Sequence, residues 1–475
     1  MNDAGLAFAS IEEIGKLFRK RKFSPVELTK LMLARIEQLN PKLNAYVTVT
    51  AEQALSQAKK AEKELFAPRG RKGHRDRGPL HGVPISLKDN IYTADIRTTA
   101  GSKILRDFVP LRNAPVVTQL LEAGAVLLGK TNLHEFAYGV TTNNPHFGPT
   151  RNPWDLNRIP GGSSGGSGAA VAAGLCYGSI GTDTGGSVRI PSSLCGVVGL
   201  KTTLGRVRVE DIVPLSPRLD CVGPLARTVQ DAALLLEPIL ARVKDEPNLR
   251  SLNKLSTKSR KFALGVPREF FFDLIADDVY AEFHKAVREL KKHRVKIKEV
   301  SVPRLAETEQ AGNHIAWPEA THCHQQAGWF PARANDYGDD VRSRLEIGTK
   351  ISGVAYLEAL EMRDKFIQQL HLAMADAGVD ALITPTTPIA APLIGEEASR
   401  VGKDDQPTRA LLLRLNRPAN LAGVPAISIP CGFTAAGLPI GLQLIGAVTD
   451  EYLLLQIAHL YERAHPRSRR PVLTA

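Results

Sequence analysis

Cysteine is scarce in this sequence, with five residues in a chain of 475. They are odd in number and scattered, and no CxxC pair occurs among them. This pattern excludes the disulfide framework of a small secreted protein and predicts reduced thiols in the cytoplasm. The five are Cys176, Cys195, Cys221, Cys323 and Cys431.

Long apolar runs are also absent. No segment reaches the ~18 consecutive apolar residues that a membrane-spanning helix needs. Residues 1–20 carry acidic and polar side chains and lack the uninterrupted apolar stretch of a signal peptide. We therefore predict no membrane partner and a cytoplasmic location, while the hydrophobic content of 43% predicts a large core.

Residues that bind metals are not grouped in a convincing way. His322, Cys323 and His324 are adjacent, but a lone cluster without a distant Cys or His is a weak zinc signal. His134 and Glu135 do not form the HExxH motif, because position 138 is tyrosine. We predict no metal site.

Basic residues outnumber acidic residues by 61 to 49, a net charge of +12. Part of the excess lies in residues 69–77 (RGRKGHRDR). Such a patch is compatible with nucleic-acid binding or with a solvated loop. Because no aromatic residues alternate with the basic ones, we favour the loop and expect no nucleic-acid partner.

Glycine and serine are concentrated in residues 160–191 (PGGSSGGSGAAVAAGLCYGSIGTDTGGSVRIP). Glycine allows positive φ and close approach of the backbone, so several N–H groups can point at one developing negative charge. A serine hydroxyl becomes a nucleophile when a base activates it. This segment therefore predicts a hydrolase or acyl transferase.

A candidate base precedes this segment. Residues 82–90 (GVPISLKDN) contain a short apolar run that predicts a buried strand with Lys88 at its end. An arbitrary lysine is usually exposed, but a desolvated lysine can act as a general base near neutral pH.

Two other motifs are rivals to this interpretation. Residues 124–131 (GAVLLGKT) match the phosphate-binding loop, but their central apolar residues predict a strand rather than a phosphate cradle. Residues 161–165 (GGSSG) match the GxSxG elbow of α/β-hydrolases, but residues 158–162 form a poor strand to precede it. Elsewhere, residues 277–292 predict an amphipathic helix, and residues 295–302 and 380–384 predict strands.

The glycine- and serine-rich segment and the Lys88 segment together resemble the amidase signature family of serine hydrolases. The resemblance extends over residues 25–462 as an ordered series of motifs. These are residues 129–139 (GKTNLHEFAYG), 147–154 (FGPTRNPW), 195–201 (CGVVGLK), 220–224 (DCVGP), 384–388 (TPTTP), 420–425 (NLAGVP) and 437–443 (GLPIGLQ).

This resemblance implies the fold and the domain organisation. We expect an α/β protein with a mixed central β-sheet sandwiched between α-helices. Residues 1–475 are expected to form one domain, with a helical N-terminal segment at about 1–67. A variable region that contacts substrate is expected at about 305–375.

The resemblance also implies the site. Lys88 corresponds to the family's base, Ser163 to its bridging serine and Ser187 to its nucleophile, with no metal or organic cofactor. The Gly162–Ser163 peptide bond is expected to be cis. The family's oxyanion hole corresponds to the backbone N–H groups of Thr184, Gly185, Gly186 and Ser187. Support of the site is expected from Gly162, Ser164, Asp183 and Arg189. Candidates for the substrate pocket are Tyr138, Thr141 and Trp317.

Two branches of the family differ in their local motifs. The A subunits of tRNA-dependent amidotransferases typically carry a tyrosine-rich stretch, where this chain has residues 353–358 (GVAYLE). They also carry an aspartate that binds the amino group of glutamine, where this chain has Leu413. These departures favour a stand-alone amidase for small-molecule amides with an apolar or aryl acyl group, also able to cleave esters or carbamates. The alternative is a glutamine-hydrolysing A subunit, and a homodimer is compatible with the family.

Overall fold

The computed structural model describes residues 3–68, 73–241, 261–466 and 469–473. Within these residues the largest sheet has eleven strands, in the order β1-β3-β2-β6-β8-β7-β14-β15-β11-β9-β10. The strands that form it are β1 (Tyr46–Val49), β2 (Pro84–Lys88), β3 (Val126–Thr131), β6 (Gly178–Asp183), β7 (Val198–Lys201), β8 (Cys221–Ala226), β9 (Ala263–Pro267), β10 (Lys296–Val300), β11 (Ala381–Pro385), β14 (Ala426–Phe433) and β15 (Pro439–Ile445).

Two small hairpins lie outside this sheet. They are β4 (Asn143–Asn144) with β5 (Gly148–Pro149), and β12 (Ala398–Val401) with β13 (Asp404–Pro407). The helices are α1 (Asp3–Ala7), α2 (Ile11–Arg19), α3 (Pro25–Leu43), α4 (Ala51–Phe66), α5 (Pro115–Glu122), α6 (Gly165–Ala172), α7 (Arg189–Cys195), α8 (Val229–Leu236), α9 (Asp277–Lys292), α10 (Glu307–Gln326), α11 (Asp339–Gly348), α12 (Gly353–Ala377), α13 (Thr408–Arg414), α14 (Arg417–Leu421) and α15 (Glu451–Ala464).

The main sheet is mixed. Strand β2 pairs in parallel with β3 and β6, and β9 pairs in parallel with β10 and β11. The strands between these groups pair antiparallel. Every residue of β2, β3, β6, β7, β8, β11 and β15 is buried, as expected for strands covered by helices on both faces. The prediction of a mixed sheet between helices is confirmed.

The N-terminal segment begins with capped helices. Ser10 and Ser24 each form a capping box with a glutamate three residues later, at the start of α2 and α3. A strand interrupts the helical segment that we expected, because β1 pairs antiparallel with β3. Thr50 does not cap α4 with its side chain; its hydroxyl donates to Leu127 O instead.

Residues 124–131 do not form a phosphate-binding loop. Val126–Thr131 is strand β3, and the side chain of Lys130 is buried. Its Nζ donates to Ile91 O and to Thr98 Oγ1, each at 2.7 Å. The rejection of that motif on its apolar content is confirmed.

No helix in the described part of the chain is long and apolar enough to cross a membrane. The basic segment falls partly outside the described residues, at 69–72. At the C-terminal end of this segment, Arg77 forms a bidentate ion pair with Glu64. Its Nε lies 2.7 Å from Oε2 and its Nη2 lies 2.6 Å from Oε1. Arg77 is thus engaged in an internal contact.

Candidate active site

Lys88 is the last residue of β2, in the interior of the sheet between β3 and β6. Its side chain is fully buried. Nζ donates to Ser163 Oγ and to Thr182 Oγ1, each at 2.7 Å. Strand β2 therefore positions the amine in contact with Ser163, one of the two candidate serines.

Burial controls the protonation of this amine. Loss of hydration lowers the pKa of Lys88 to about 7, although the carboxylates of Asp183 and Asp220 act in the opposite direction. The neutral form of the amine is therefore far more accessible at neutral pH than that of an exposed lysine. A neutral amine can accept a proton.

Ser163 and Ser164 lie in the turn that leads into α6. The Gly162–Ser163 peptide bond is cis, and Gly161 has a φ of +84°. Ser164 Oγ donates to Thr182 O at 3.2 Å, and Ser164 N donates to Ser187 O at 3.2 Å. The serine turn is thereby attached to β6 and to the turn that carries Ser187.

Ser187 lies in the turn between β6 and α7. The preceding residue, Gly186, has a φ of +120°, and a Cβ there would lie 2.7 Å from the Asn416 side chain. Glycine is required at this position for both reasons. Ser187 is 5% exposed and lines a pocket, and its hydroxyl forms no hydrogen bond to any described residue.

The backbone N–H groups of this turn are not equivalent. Gly186 N donates to Asp183 Oδ1 at 2.8 Å, so this group is already occupied. Those of Thr184, Gly185 and Ser187 have no acceptor among the described residues. The turn thus offers three N–H groups to a ligand, and they differ from the predicted set at Gly186.

A buried ion pair holds the turn. Arg189 Nε and Nη2 each lie 3.0 Å from a carboxylate oxygen of Asp183, and both side chains are fully buried. Burial alone would raise the pKa of Asp183, but Arg189 and the Asn420 amide hold it well below its usual value. Arg189 also donates to Asn416 O, Gln443 Oε1 and Asn420 Oδ1.

Sequence reasoning assigned no role to Thr182 or Asp220. Thr182 is in β6 and accepts a hydrogen bond from Lys88. Asp220 accepts from Thr184 Oγ1 and from the N–H groups of Leu215 and Ser216. Burial raises the pKa of Asp220 to about 6 despite these bonds. Asp220 is the first residue of the motif at residues 220–224, and this position in a motif was the sequence feature that could have identified it.

The pocket beside Ser187 has a volume of about 40 Å³. Tyr138 and Trp317, two candidates for the substrate pocket, line it. Thr141 does not; its hydroxyl contacts His134 Nδ1 at 3.2 Å in a neighbouring pocket. Helices α13 and α14 add Arg409, Leu413 and Arg417, of which only Leu413 was considered from the sequence.

The three adjacent side chains that were considered as metal ligands lie outside the pocket that contains Ser187. His324 is buried in α10, where its Nδ1 contacts the Tyr337 hydroxyl at 2.8 Å. His322 and Cys323 line a separate surface cavity. No cluster of three metal-binding side chains occurs in residues 3–68, 73–241, 261–466 and 469–473.

Comparison with known proteins gives the family. The sequence model described as Amidase matches residues 27–455. The chain belongs to the amidase family. Amidases and the A subunits of amidotransferases are enzymes that cleave amide C–N bonds, and this chain is an enzyme of that kind.

Individual relatives resemble the whole chain. The A subunit of glutamyl-tRNA(Gln) amidotransferase from Gloeothece citriformis is 39% identical, covering 98% of this chain and 99% of the relative. A crystal structure of an amidase aligns with a TM-score of 0.87 and 33% identity, covering 96% and 99% of the two chains. The crystal structure of the same kind of amidotransferase chain from Thermotoga maritima aligns with a TM-score of 0.77 and 34% identity, covering 99% of each.

These relatives correct two predictions. The preference for a stand-alone amidase is wrong, because near full-length similarity favours the alternative of an amidotransferase chain. The expectation of only a small-molecule partner, with a homodimer at most, is wrong for the same reason. The two local departures, at residues 353–358 and Leu413, are outweighed by similarity along the whole chain.

Proposed function

We propose that this chain is the glutamine-hydrolysing A subunit of an amidotransferase, which supplies ammonia to partner subunits. The observation that carries the proposal is 39% identity to relatives of that name over 98% of the chain. The contact of a buried lysine with Ser163, beside a turn with unoccupied N–H groups, is the chemistry that this function needs.

Lys88 serves as the general base. Its neutral form takes the proton of Ser163, and Ser163 takes the proton of Ser187 as Ser187 Oγ attacks the amide carbonyl carbon. The pKa of about 7 supports this role, because a base works best when its pKa lies near the operating pH. The Ser187 hydroxyl must approach Ser163 in this step, and such contacts commonly tighten when substrate binds.

The N–H groups of Thr184, Gly185 and Ser187 stabilise the oxyanion. They are free to donate to the oxygen that becomes negative when Ser187 attacks. One such donor contributes about 3 kcal/mol to stabilisation of the transition state. Gly186 contributes through its conformation instead, since its N–H is bonded to Asp183.

Breakdown of the tetrahedral intermediate completes the first half-reaction. The C–N bond breaks, the leaving nitrogen receives the proton held by the lysine–serine relay, and ammonia leaves with Ser187 acylated. Water then attacks the carbonyl carbon of the acyl-enzyme and gives its proton to the same relay. The bond between Ser187 Oγ and the acyl carbon breaks, Ser187 Oγ receives the proton back from the relay, and glutamate leaves. The ammonia passes to the partner subunits, which amidate glutamyl-tRNA(Gln).

The test is glutamine-dependent ammonia release by the chain alone and by its complex with the other amidotransferase subunits. We expect turnover in the complex, loss of it in Ser187→Ala, and amidation of glutamyl-tRNA(Gln). Ser343→Ala, an exposed serine on α11, is the matched control and should match the wild type. Fast hydrolysis of simple amides by the isolated chain, with no glutaminase activity in the complex, would overturn the proposal.

A further inference from the structure

Glu319 lies on α10, at the wall of the surface cavity that His322 and Cys323 also line. It is not among the residues that line the pocket of Ser187. Its side chain is nevertheless only 11% exposed, and both of its carboxylate oxygens accept hydrogen bonds. This carboxylate therefore belongs to an internal network and not to the solvated surface of the helix.

Four contacts attach Glu319 to residues 215–220 and to α12. Its Oε2 accepts hydrogen bonds from Ser216 Oγ at 2.6 Å and from Arg218 N at 3.3 Å. Its Oε1 accepts one from the Tyr356 hydroxyl at 2.8 Å and lies 3.2 Å from Arg218 Nε. Ser216 is fully buried, and a hydrogen bond to a charged acceptor is about twice as strong as one between neutral groups. Glu319 is thus firmly held to this segment.

The same segment holds Asp220 against the Ser187 turn. Asp220 Oδ2 accepts hydrogen bonds from Leu215 N at 2.9 Å and from Ser216 N at 3.1 Å. Asp220 Oδ1 accepts one from Thr184 Oγ1 at 2.5 Å. Ser216 therefore donates its hydroxyl to one carboxylate and its N–H to the other. Hydrogen bonds run without interruption from the carboxylate on α10, through Ser216 and Asp220, to Thr184.

The register of the sheet explains why Thr184 and Asp220 meet. Strands β6 and β8 pair antiparallel, with Asp183 at the end of β6 opposite Cys221 at the start of β8. Thr184 follows β6 and Asp220 precedes β8, so the two side chains meet where the ladder ends. The N–H of Thr184 is one of the three that the proposed mechanism assigns to the oxyanion. A shift of Asp220 would therefore displace a group that contacts the reacting atoms.

We propose that Glu319 is a positioning residue for the Ser187 turn. Through Ser216 and Asp220 it fixes Thr184, and so orients the N–H groups that receive the developing negative charge. An oxyanion hole acts on the transition state, so the loss of this orientation should appear in kcat. The inference rests on the proposed hydrolysis by Ser187, and it holds for any amide that Ser187 attacks.

The first test replaces Glu319 in the complex with its partner subunits. Glu319→Ala should lower kcat for glutamine about tenfold or more and change KM by less than about threefold, because the loss concerns the transition state. Glu319→Gln keeps an acceptor oxygen for Ser216 and should restore part of the rate. Glu307→Ala is the matched control and should equal the wild type, because Glu307 is on the same helix and pairs with Arg304 at the surface.

The second test asks whether the effect passes through the hydroxyl of Thr184. Thr184→Val removes the hydrogen bond to Asp220 and leaves the backbone N–H in place. The double variant with Glu319→Ala should lose no more of kcat than the larger single loss, because both changes break one chain of hydrogen bonds. Ser216→Ala breaks the same chain between the two carboxylates and should also lower kcat. It provides the test if Glu319→Ala does not fold.

The outcomes separate this proposal from the proposed function. An unchanged kcat in Glu319→Ala, or a change confined to KM, would overturn the positioning role and leave hydrolysis by Ser187 intact. Losses that multiply in the double variant would overturn it as well, because the two side chains would then act independently. Turnover of a simple amide such as pentanamide without turnover of glutamine would overturn the proposed function instead, and the same comparison of kcat on pentanamide would then test Glu319.

Discussion

The amine of Lys88 is balanced between two opposing influences. Its burial disfavours the charged form, whereas the carboxylates of Asp183 and Asp220 favour it. Burial is the larger influence, so the pKa falls from 10.5 to about 7. Because the amine contacts Ser163 in this state, small changes in its surroundings should be visible in the rate of hydrolysis.

The pH dependence of the reaction follows from this balance. As the proposed base, Lys88 must be neutral to accept a proton, so kcat/KM should rise with pH up to about 7 and level off above it. A pH profile of ammonia release from glutamine by the complex measures this. A rate that falls as pH rises from 5 to 7 would contradict the role of Lys88.

Asp220→Asn should move that profile to lower pH. Asp220 favours charged Lys88, so removal of its negative charge lowers the pKa of the lysine further. The effect is expected above pH 6, where Asp220 is ionised. The matched control is Asp211→Asn, whose carboxylate pairs with the exposed Arg112. A shift of the acid limb to higher pH would contradict this account.

At the scale of single residues, the sequence identifies candidate site residues where they lie in recognisable motifs. The structure places Lys88 Nζ within hydrogen-bond distance of Ser163 Oγ. The sequence could not indicate Thr182 as the partner of Lys88, because the two residues are 94 positions apart and the pairing of β2 with β6 brings them together. Arg409 and Arg417 were missed because surface arginines are common, and the burial of Arg417 depends on its contacts with α10.

At the scale of elements, close pairing of β7 and β8 depends on a glycine. A Cβ added to Gly223 would lie 1.8 Å from Leu200 O, which is backbone and cannot rotate away. Strand β8 also pairs with β6, which leads to the Ser187 turn. Any displacement of β8 is therefore transmitted toward the site.

Gly223→Ala should destabilise the protein by about 2 kcal/mol or more, as overpacking does in a closed core. Denaturant unfolding of the purified chain measures the loss. Gly353→Ala is the matched control, because nothing lies within 4 Å of its added Cβ at the start of α12. A control that destabilises as much as Gly223→Ala would refute the steric explanation.

Elements with a strong local pattern were predicted well. The helix expected at residues 277–292 is α9, and the strands expected at 295–302 and 380–384 correspond to β10 and β11. Strand β1 was not predicted, since it has four residues and its pairing with β3 is set by residues about 80 positions away. Short strands of this kind depend on tertiary contacts that the local sequence does not contain.

At the scale of the whole molecule, Arg189 connects distant parts of the chain. Its bonds to Asn416, Asn420 and Gln443 span 227, 231 and 254 residues. Removal of one member of a buried ion pair leaves the other charged and unpaired. The stability of the molecule and the geometry of the Ser187 turn therefore depend on one side chain.

Arg189→Met should lower the free energy of unfolding by about 3–5 kcal/mol, because Asp183 is left buried without its partner. Arg208→Met is the matched control; Arg208 pairs with Glu210 at the surface and should change stability by about 0.5 kcal/mol or less. Thermal unfolding of both variants measures the difference. Equal losses of stability in the two variants would show that the buried Arg189–Asp183 pair contributes no more than the exposed Arg208–Glu210 pair.

The function of the whole chain was harder to predict than its fold. The motifs identified the family and the type of chemistry, both of which are confirmed. The choice between branches failed because it rested on residues 353–358 and Leu413. Those positions are a small local set, whereas similarity over 98% of the chain concerns the entire molecule.

The connections of Arg189 have a consequence for synthesis of the protein. Lys88, Ser163 and Ser187 all leave the ribosome before Asn416, Asn420 and Gln443 are translated. Until then Arg189 lacks three of the acceptors that position the Ser187 turn. The nascent chain therefore carries every catalytic candidate without an assembled site, and hydrolysis should begin only when the last strands have been added.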